Sequence, residues 1–147
     1  MKGDSENFRV ALHSPKGVVH MLVIGEKLSI IAKRVREAMM KRDKSPIQDI
    51  AISQWKAGAG MIDANIGPAE DGGEALIQWM ITTIQEAVPL PVCLDTTNYR
   101  AIDAGLTVHN NQWGRPLINS TSNDPERFPM LELAAKPSTI NNTNCNN

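Results

Sequence analysis

The feature that most constrains this chain is a repeating alternation of short apolar runs and longer amphipathic stretches. Four runs have the composition of β-strands, and helical periodicity follows each of them. Strands that alternate with helices of this length form βαβ units, so the pattern predicts a parallel sheet. The four predicted strands are VVHMLVIGE (18–26), GMIDANIG (60–67), LPVCLDTTN (90–98) and RPLINSTS (115–122).

The helical stretches carry recognisable start and stop signals. Ser45 can cap the second helix, and Pro46 then fits its first helical position. In the last stretch Asp124 can cap and Pro125 can open the helix, while Pro129 falls inside the pattern and would kink the helix or delay its start. The predicted helices cover 29–43, 45 to near 58, 73–88, a stretch that ends at 105, and 124–136.

Two of the predicted strands contain segments that are apolar at every position. These are MLVI at 21–24 and PVCL at 91–94. Strands of a parallel sheet are covered on both faces and therefore need no alternation of polar and apolar residues. We accordingly expect both segments to be buried on both faces.

Polar side chains lie at or near the ends of successive predicted strands. Asp63 and Asn65 are two positions apart, so they point to the same side of an extended chain. An aspartate at a strand end often caps the following helix. Four successive strands that each end in a carboxylate or amide instead favour a shared polar ligand, because the carboxyl ends of the strands form the binding rim of a βα barrel. The residues concerned are Glu26, Asp63, Asn65, Asp95, Asn98 and Asn119.

Charge and composition argue against several classes of protein. The formal net charge is -1, which gives no basic field for nucleic acid. The apolar runs are shorter than a membrane span, and the polar start is not typical of a signal peptide, so we expect a cytoplasmic location. His20, His109 and Cys93 have no partner at metal-ligand spacing, so no metal site is predicted. Cys93 is interpreted as a small core residue.

Four short motifs together resemble those of the pterin-binding methyltransferases. The motifs IGEKLS, IDANIGP, CLDTTN and INSTS occur here in the order and spacing of methyltetrahydrofolate:corrinoid (or corrinoid/iron–sulfur protein) methyltransferases. The resemblance covers about residues 21–136. It implies a (βα)8 TIM-type barrel that binds 5-methyltetrahydrofolate or tetrahydrofolate as substrate. It further implies methyl transfer between N5 and the cobalt of a corrinoid (cobalamin) that a partner protein carries.

The resemblance also implies a set of pterin-binding residues. A carboxylate can accept a pair of N–H donors from the amino-pyrimidone edge of the pterin, and an amide can donate and accept at once. Asp95 and Asn119 match hydrogen-bonding residues of the family, and the residues that act near N5 are expected on later strands. The candidate pterin-binding residues are Asp95, Asn119, Asp63, Asn65, Asn98 and Glu26.

The chain departs from the family in its length and in its last residues. A full barrel takes roughly 250 residues, whereas these 147 residues supply four βα units. We therefore expect a half barrel at 21–136, preceded by a leader or bottom hairpin at 1–20. An Asn-rich tail of disordered composition would follow at 137–147, as in a truncated or frame-shifted end. Ser29 stands where the family more often has asparagine.

Partners follow from the resemblance, and two other functions stay open. The implied partner is a corrinoid protein or corrinoid/iron–sulfur protein, and the full-length family implies a homodimer. A dihydropteroate synthase would use the same barrel and pterin, but GEKLSIIAKR lacks that enzyme's loop for pyrophosphate and Mg²⁺. A non-catalytic fragment without activity of its own is the third hypothesis, because an open half barrel exposes two strand edges.

Overall fold

A computed structural model describes residues 21–119 and 128–135 of the chain. Within these residues four strands form one parallel sheet in sequential order. The predicted parallel sheet is therefore confirmed, and it is consistent with part of a βα barrel. The leader or hairpin at 1–20 and the tail at 137–147 lie outside the described residues. The strands are β1 (Ile24–Ser29), β2 (Met61–Asn65), β3 (Val92–Asp95) and β4 (Leu117–Asn119).

Helices connect the strands on one side of the sheet. The chain between β1 and β2 forms two helices, whereas one longer helix links β2 to β3. No helix in the described part of the chain is long and apolar enough to cross a membrane. The helices are α1 (Lys33–Lys41), α2 (Lys44–Lys56), α3 (Gly73–Ala87), α4 (Tyr99–Val108) and α5 (Phe128–Ala134), with a 3-10 turn at Asn111–Trp113.

The apolar core lies between the sheet and these helices. Ile62, Ala64 and Leu94 have no exposed surface and point toward the helical layer. Gly105 lets α4 approach the sheet closely, since a Cβ there would lie 2.7 Å from Leu94 Cδ2. Because side chains alternate along a strand, the residues between these apolar ones point to the opposite face of the sheet.

The first strand lies further along the chain than its apolar run indicated. Strand β1 begins at Ile24 rather than at residue 18, and α1 begins at Lys33 rather than at 29. Met21 is 83% exposed, and Leu22 and Val23 are about half exposed. The prediction of two-sided burial is therefore wrong for these three residues, which precede the first residue of β1. It is confirmed for 91–94, all of which are buried.

The start of α2 corrects one of the predicted signals. Asp43, not Ser45, caps α2, and its carboxylate accepts the Ser45 N–H at 3.1 Å. The described part of helix α5 runs from Phe128 to Ala134 and includes Pro129. The predicted cap at 124 and the predicted start of this helix lie outside the described residues.

Strand β1 contains a bulge where it passes β2. Gly25 pairs with Ile62 and Leu28 pairs with Ala64, so two residues of β1 stand opposite one residue of β2. The two residues are Glu26 and Lys27, and the one opposite is Asp63. The extra residue lets Gly25 and Leu28 both face the helices, although they are three positions apart.

Candidate functional site

Polar side chains from three strands meet on the face of the sheet that points away from the helices. Asn65, Asp95 and Asn119 occupy the same level of the parallel register, at the carboxyl ends of β2, β3 and β4. Asp63 lies two residues before Asn65 on the same face, beside Cys93 of β3. The expectation that these carboxylates and amides come together is confirmed. Their role in binding a ligand remains a prediction.

Hydrogen bonds between strands pair each carboxylate with an amide, one from the neighbouring strand and one from the strand beyond it. Asn65 Nδ2 donates to Asp95 Oδ2 at 2.6 Å, and Asn119 Nδ2 donates to Asp63 Oδ1 at 3.5 Å. Asn65 Oδ1 in turn accepts the backbone N–H of Gly67 at 3.1 Å. An ionised carboxylate can accept about four hydrogen bonds, so both aspartates keep capacity for a further donor.

Burial and neighbouring negative charge raise the pKa of both aspartates. Desolvation raises the pKa of Asp63, and the charges of Asp95 and Glu26 raise it further, against hydrogen bonds that lower it. Desolvation also raises the pKa of Asp95, as does Glu26, whereas the hydrogen bond from Asn65 lowers it. A ligand that brought N–H donors to this face would stabilise the charged forms.

Cys93 supports Asp63 from the next strand. Its thiol is fully buried and lies beside Asp63 at the same register position. Desolvation, the neighbouring Asp63 carboxylate and the surrounding negative charges raise the pKa of Cys93 well above its usual range, so the thiol stays protonated. The interpretation of Cys93 as a buried core residue is confirmed. Its influence on the pKa of Asp63, which it lowers, was not predicted, although both residues face the same side at one register position.

Asn98 lies close to this region, but its side chain is engaged in local structure. Its Oδ1 atom caps α4 by accepting the N–H groups of Arg100 at 3.0 Å and Ala101 at 3.3 Å. Its Nδ2 atom donates to the Ala69 carbonyl at 2.9 Å. These bonds account for an asparagine at this position, and its predicted contact with a ligand remains untested.

Thr96 joins the loops that follow β2 and β3. Its hydroxyl donates to the Gly67 carbonyl at 2.5 Å and accepts the Asn98 N–H at 3.2 Å. Gly67 has a φ of +66°, a conformation that favours glycine. Thr96 therefore anchors the turn whose N–H holds Asn65. Sequence reasoning did not identify this role, because the bond spans 29 residues.

Glu26 reaches the same acidic region from β1. It is the third residue of that strand, rather than its end, and its side chain is exposed. Its charge acts on both Asp63 and Asp95. Among residues 21–119 and 128–135, no three His, Cys, Asp or Glu side chains are grouped so as to hold a metal ion.

Comparison with known proteins relates the chain to methyltransferases. It is 32% identical over 111 residues to a methylcorrinoid:tetrahydrofolate methyltransferase of Eubacterium limosum, a match that covers 76% of this chain and 40% of that protein. It is 32% identical over 115 residues to methionine synthase of Mycobacterium tuberculosis, covering 78% of this chain and 9% of that protein. The methionine synthase of Mycobacterium leprae is 31% identical over 103 residues, with 69% and 8% covered. No protein-family model matches the chain.

Proposed function

We propose that this relative of methyltransferases is the pterin-binding part of an enzyme that moves a methyl group between 5-methyltetrahydrofolate and a corrinoid. The methyl group would travel between N5 of the folate and the cobalt of a corrinoid that a partner protein carries. The observation that carries the proposal is the meeting of two carboxylates and two amides at one edge of the sheet. The similarity to a methylcorrinoid:tetrahydrofolate methyltransferase supports the choice of ligand.

The chemistry of the pterin suits these four side chains. Its amino-pyrimidone edge presents adjacent N–H donors, which one carboxylate can accept as a charge-assisted pair. Asp95 is half-buried whereas Asp63 is only 4% exposed, so Asp95 is the better placed to receive those donors. Asp63 would then have an indirect role, in which it orients Asn119 by accepting its hydrogen bond.

The amide of Asn119 would complete recognition of the ring. Its Nδ2 group is directed to Asp63, so its Oδ1 atom points away from that carboxylate and can accept a ligand N–H. Asn65 holds the Asp95 carboxylate through the bond to Oδ2, which leaves Oδ1 for the ligand. In the proposed complex these two acceptors, on adjacent strands, would face one edge of the ligand.

Chemistry at N5 requires groups other than these four. Release of the methyl group leaves an amine nitrogen, so a proton or hydrogen bond at N5 lowers the barrier. In the proposed complex the corrinoid supplies the metal centre that accepts or donates the methyl group. The complete (βα)8 barrel, to which this sheet would contribute four strands, and a homodimer belong to the same proposal.

Calorimetric titration with 5-methyltetrahydrofolate tests the proposed function. Removing a charge-assisted hydrogen bond costs about 1.5–3 kcal/mol, so Asp95→Ala should weaken binding by roughly 10- to 150-fold. Asn119→Ala should weaken it less, since a neutral bond is lost. Asp49→Ala is the matched control, because Asp49 is an exposed residue of α2 whose ion pair with Arg34 lies outside the site. Equal affinities of the wild type and Asp95→Ala would remove Asp95 from the site, and a wild type that does not bind the folate would exclude this function.

A further inference from the structure

The bulge in β1 depends on a contact with a residue from α2. Gln54 Oε1 accepts the backbone N–H of Lys27 at 2.8 Å, and Lys27 is one of the two bulged residues. An N–H inside a bulge has lost its regular ladder partner and needs another acceptor. The side chain of Gln54 provides that acceptor from a helix 27 residues away in the sequence.

Gly25 allows the glutamine to approach the strand. A Cβ atom at this position would lie 2.6 Å from Gln54 Oε1 and 2.8 Å from its Cδ atom. Real Cβ atoms do not approach so closely, so any side chain at this position would have to displace the amide. The absence of a side chain at Gly25, the residue before the bulge, therefore lets β1 and α2 pack closely here.

Gln54 is kept in the core although its amide is only partly satisfied. It is 6% exposed, and within the described residues its Nε2 atom has no hydrogen-bond partner. A buried donor without an acceptor destabilises a fold, and an apolar side chain of the same volume would avoid that penalty. The bond to Lys27 is therefore the feature of Gln54 that calls for a glutamine.

The bulge in turn determines where Glu26 lies. Glu26 stands with Lys27 opposite Asp63, and it is the third negative charge near the pair of aspartates. Bulges commonly redirect a side chain beside a functional site. Without the bulge, β1 would have one residue fewer opposite Asp63, and the strand would run in a different direction.

We propose that Gln54 is a positioning residue: by accepting the Lys27 N–H it holds the β1 bulge that places Glu26 beside Asp63 and Asp95. Gln54 itself lies between α2 and β1 and would touch no ligand. Its influence on folate affinity rests on the proposed function, whereas its influence on the two aspartates does not. The two ideas can therefore fail separately.

The test is a pH titration of the side-chain carboxyl carbons of Asp63 and Asp95 by NMR. Glu26→Gln removes a like charge and should lower both pKa values. Gln54→Met, which has nearly the same shape but no acceptor, should shift both in the same direction. The double variant Glu26→Gln/Gln54→Met should match Glu26→Gln alone, because Gln54 acts through Glu26.

A matched control separates positioning from a general loss of stability. Gln48→Met makes the same change on the same helix and removes a bond to the Thr83 carbonyl of α3 rather than a bond to β1. It should lower stability without moving the pKa of either aspartate. Gln54→Asn keeps an amide but is too short to reach Lys27. It should shift the two pKa values as Gln54→Met does, and it replaces that variant in the test if Gln54→Met does not fold.

Two results would overturn the proposal. The first is an unchanged pKa of Asp95 in a folded Gln54→Met or Gln54→Asn variant while Glu26→Gln lowers it. The second is a Gln54→Met shift of equal size with and without Glu26, since the glutamine would then act by another route. If the expected shifts occur but no variant or wild-type chain binds 5-methyltetrahydrofolate, the proposed function fails and the positioning role stands.

Discussion

The hydrogen bond between Asn65 and Asp95 gives a prediction whose size depends on pH. The substitution Asn65→Ala removes the 2.6 Å bond to the Asp95 carboxylate and the acceptor for the Gly67 N–H. Hydrogen bonds to charged groups contribute about 1.5–3 kcal/mol, and neutral ones about 0.5–1.5 kcal/mol. Asp95 is half-buried, so water replaces part of both. We therefore take the lower end of each range and expect a loss of about 2 kcal/mol at neutral pH.

The direction of the pH dependence follows from the pKa of Asp95. Burial raises this pKa and the Asn65 bond opposes the rise, so Asn65→Ala should raise it further. A group whose folded pKa is raised adds stability below its unfolded pKa and loses it as pH rises through the folded value. The difference in unfolding free energy between the variant and the wild type is therefore largest at pH values above the folded pKa of Asp95. Well below it, where Asp95 is protonated in both proteins, the deficit should shrink to about 1 kcal/mol.

Urea denaturation of wild type and Asn65→Ala, at neutral pH and at the lowest pH where the wild type stays folded, measures this difference. Asn110→Ala is the matched control, because Asn110 accepts the backbone N–H of Gln112 at 3.1 Å rather than bonding to a carboxylate. Its loss should be the same at both pH values. An Asn65→Ala deficit that does not change with pH would refute the reasoning.

Three further predictions concern the buried core and the amino-terminal end of β3. Gly105→Ala should lower the Tm, because overpacking against Leu94 costs about 1–3 kcal/mol and the helical gain is only about 1 kcal/mol; an unchanged or higher Tm argues against that contact. His109, whose pKa burial lowers, accepts the Val92 N–H at 3.1 Å. The free energy of unfolding of the wild type should therefore decrease as pH falls below about 6.5. His109→Phe should be less stable by about 1–3 kcal/mol at neutral pH and should not show that decrease. The same dependence of the unfolding free energy on pH in both proteins would contradict this. Cys93 should react with thiol reagents only in denaturant, as read by peptide mass spectrometry, and labelling in the native protein would show that the thiol is accessible.

The sequence was sufficient for the order and direction of the strands. Apolar runs between turn residues located β2 and β3, and the helices between them required a parallel sheet. The helix α3 ends at Ala87, just before Pro89, as the proline predicted. These features depend on local signals that each segment carries by itself.

The position of β1 could not be read from its composition. The run at 21–24 is as apolar as any in the chain, yet Met21, Leu22 and Val23 are exposed and the paired strand continues to Ser29. Its true register depends on a bulge and on a side chain from α2, neither of which leaves a periodic signal. Tertiary packing therefore decided this boundary against local propensity.

The candidate site was predictable where it depends on strand ends alone. Asp63, Asn65, Asp95 and Asn119 come together because the carboxyl ends of neighbouring parallel strands share one edge. The partners of these residues were not predictable in the same way. Thr96 bonds to Gly67, and Cys93 lies beside Asp63, two contacts that only the folded register brings about.

The central claim is that Asp95 and Asn119 bind the pterin, and NMR observation of these side chains during a titration with 5-methyltetrahydrofolate tests it most directly. We predict that the carboxyl signal of Asp95 and the amide signal of Asn119 shift together along one saturating binding curve. The exposed carboxyl of Asp49 should stay unchanged and serves as the internal reference. Saturable binding of the folate that leaves Asp95 and Asn119 unmoved would contradict the account.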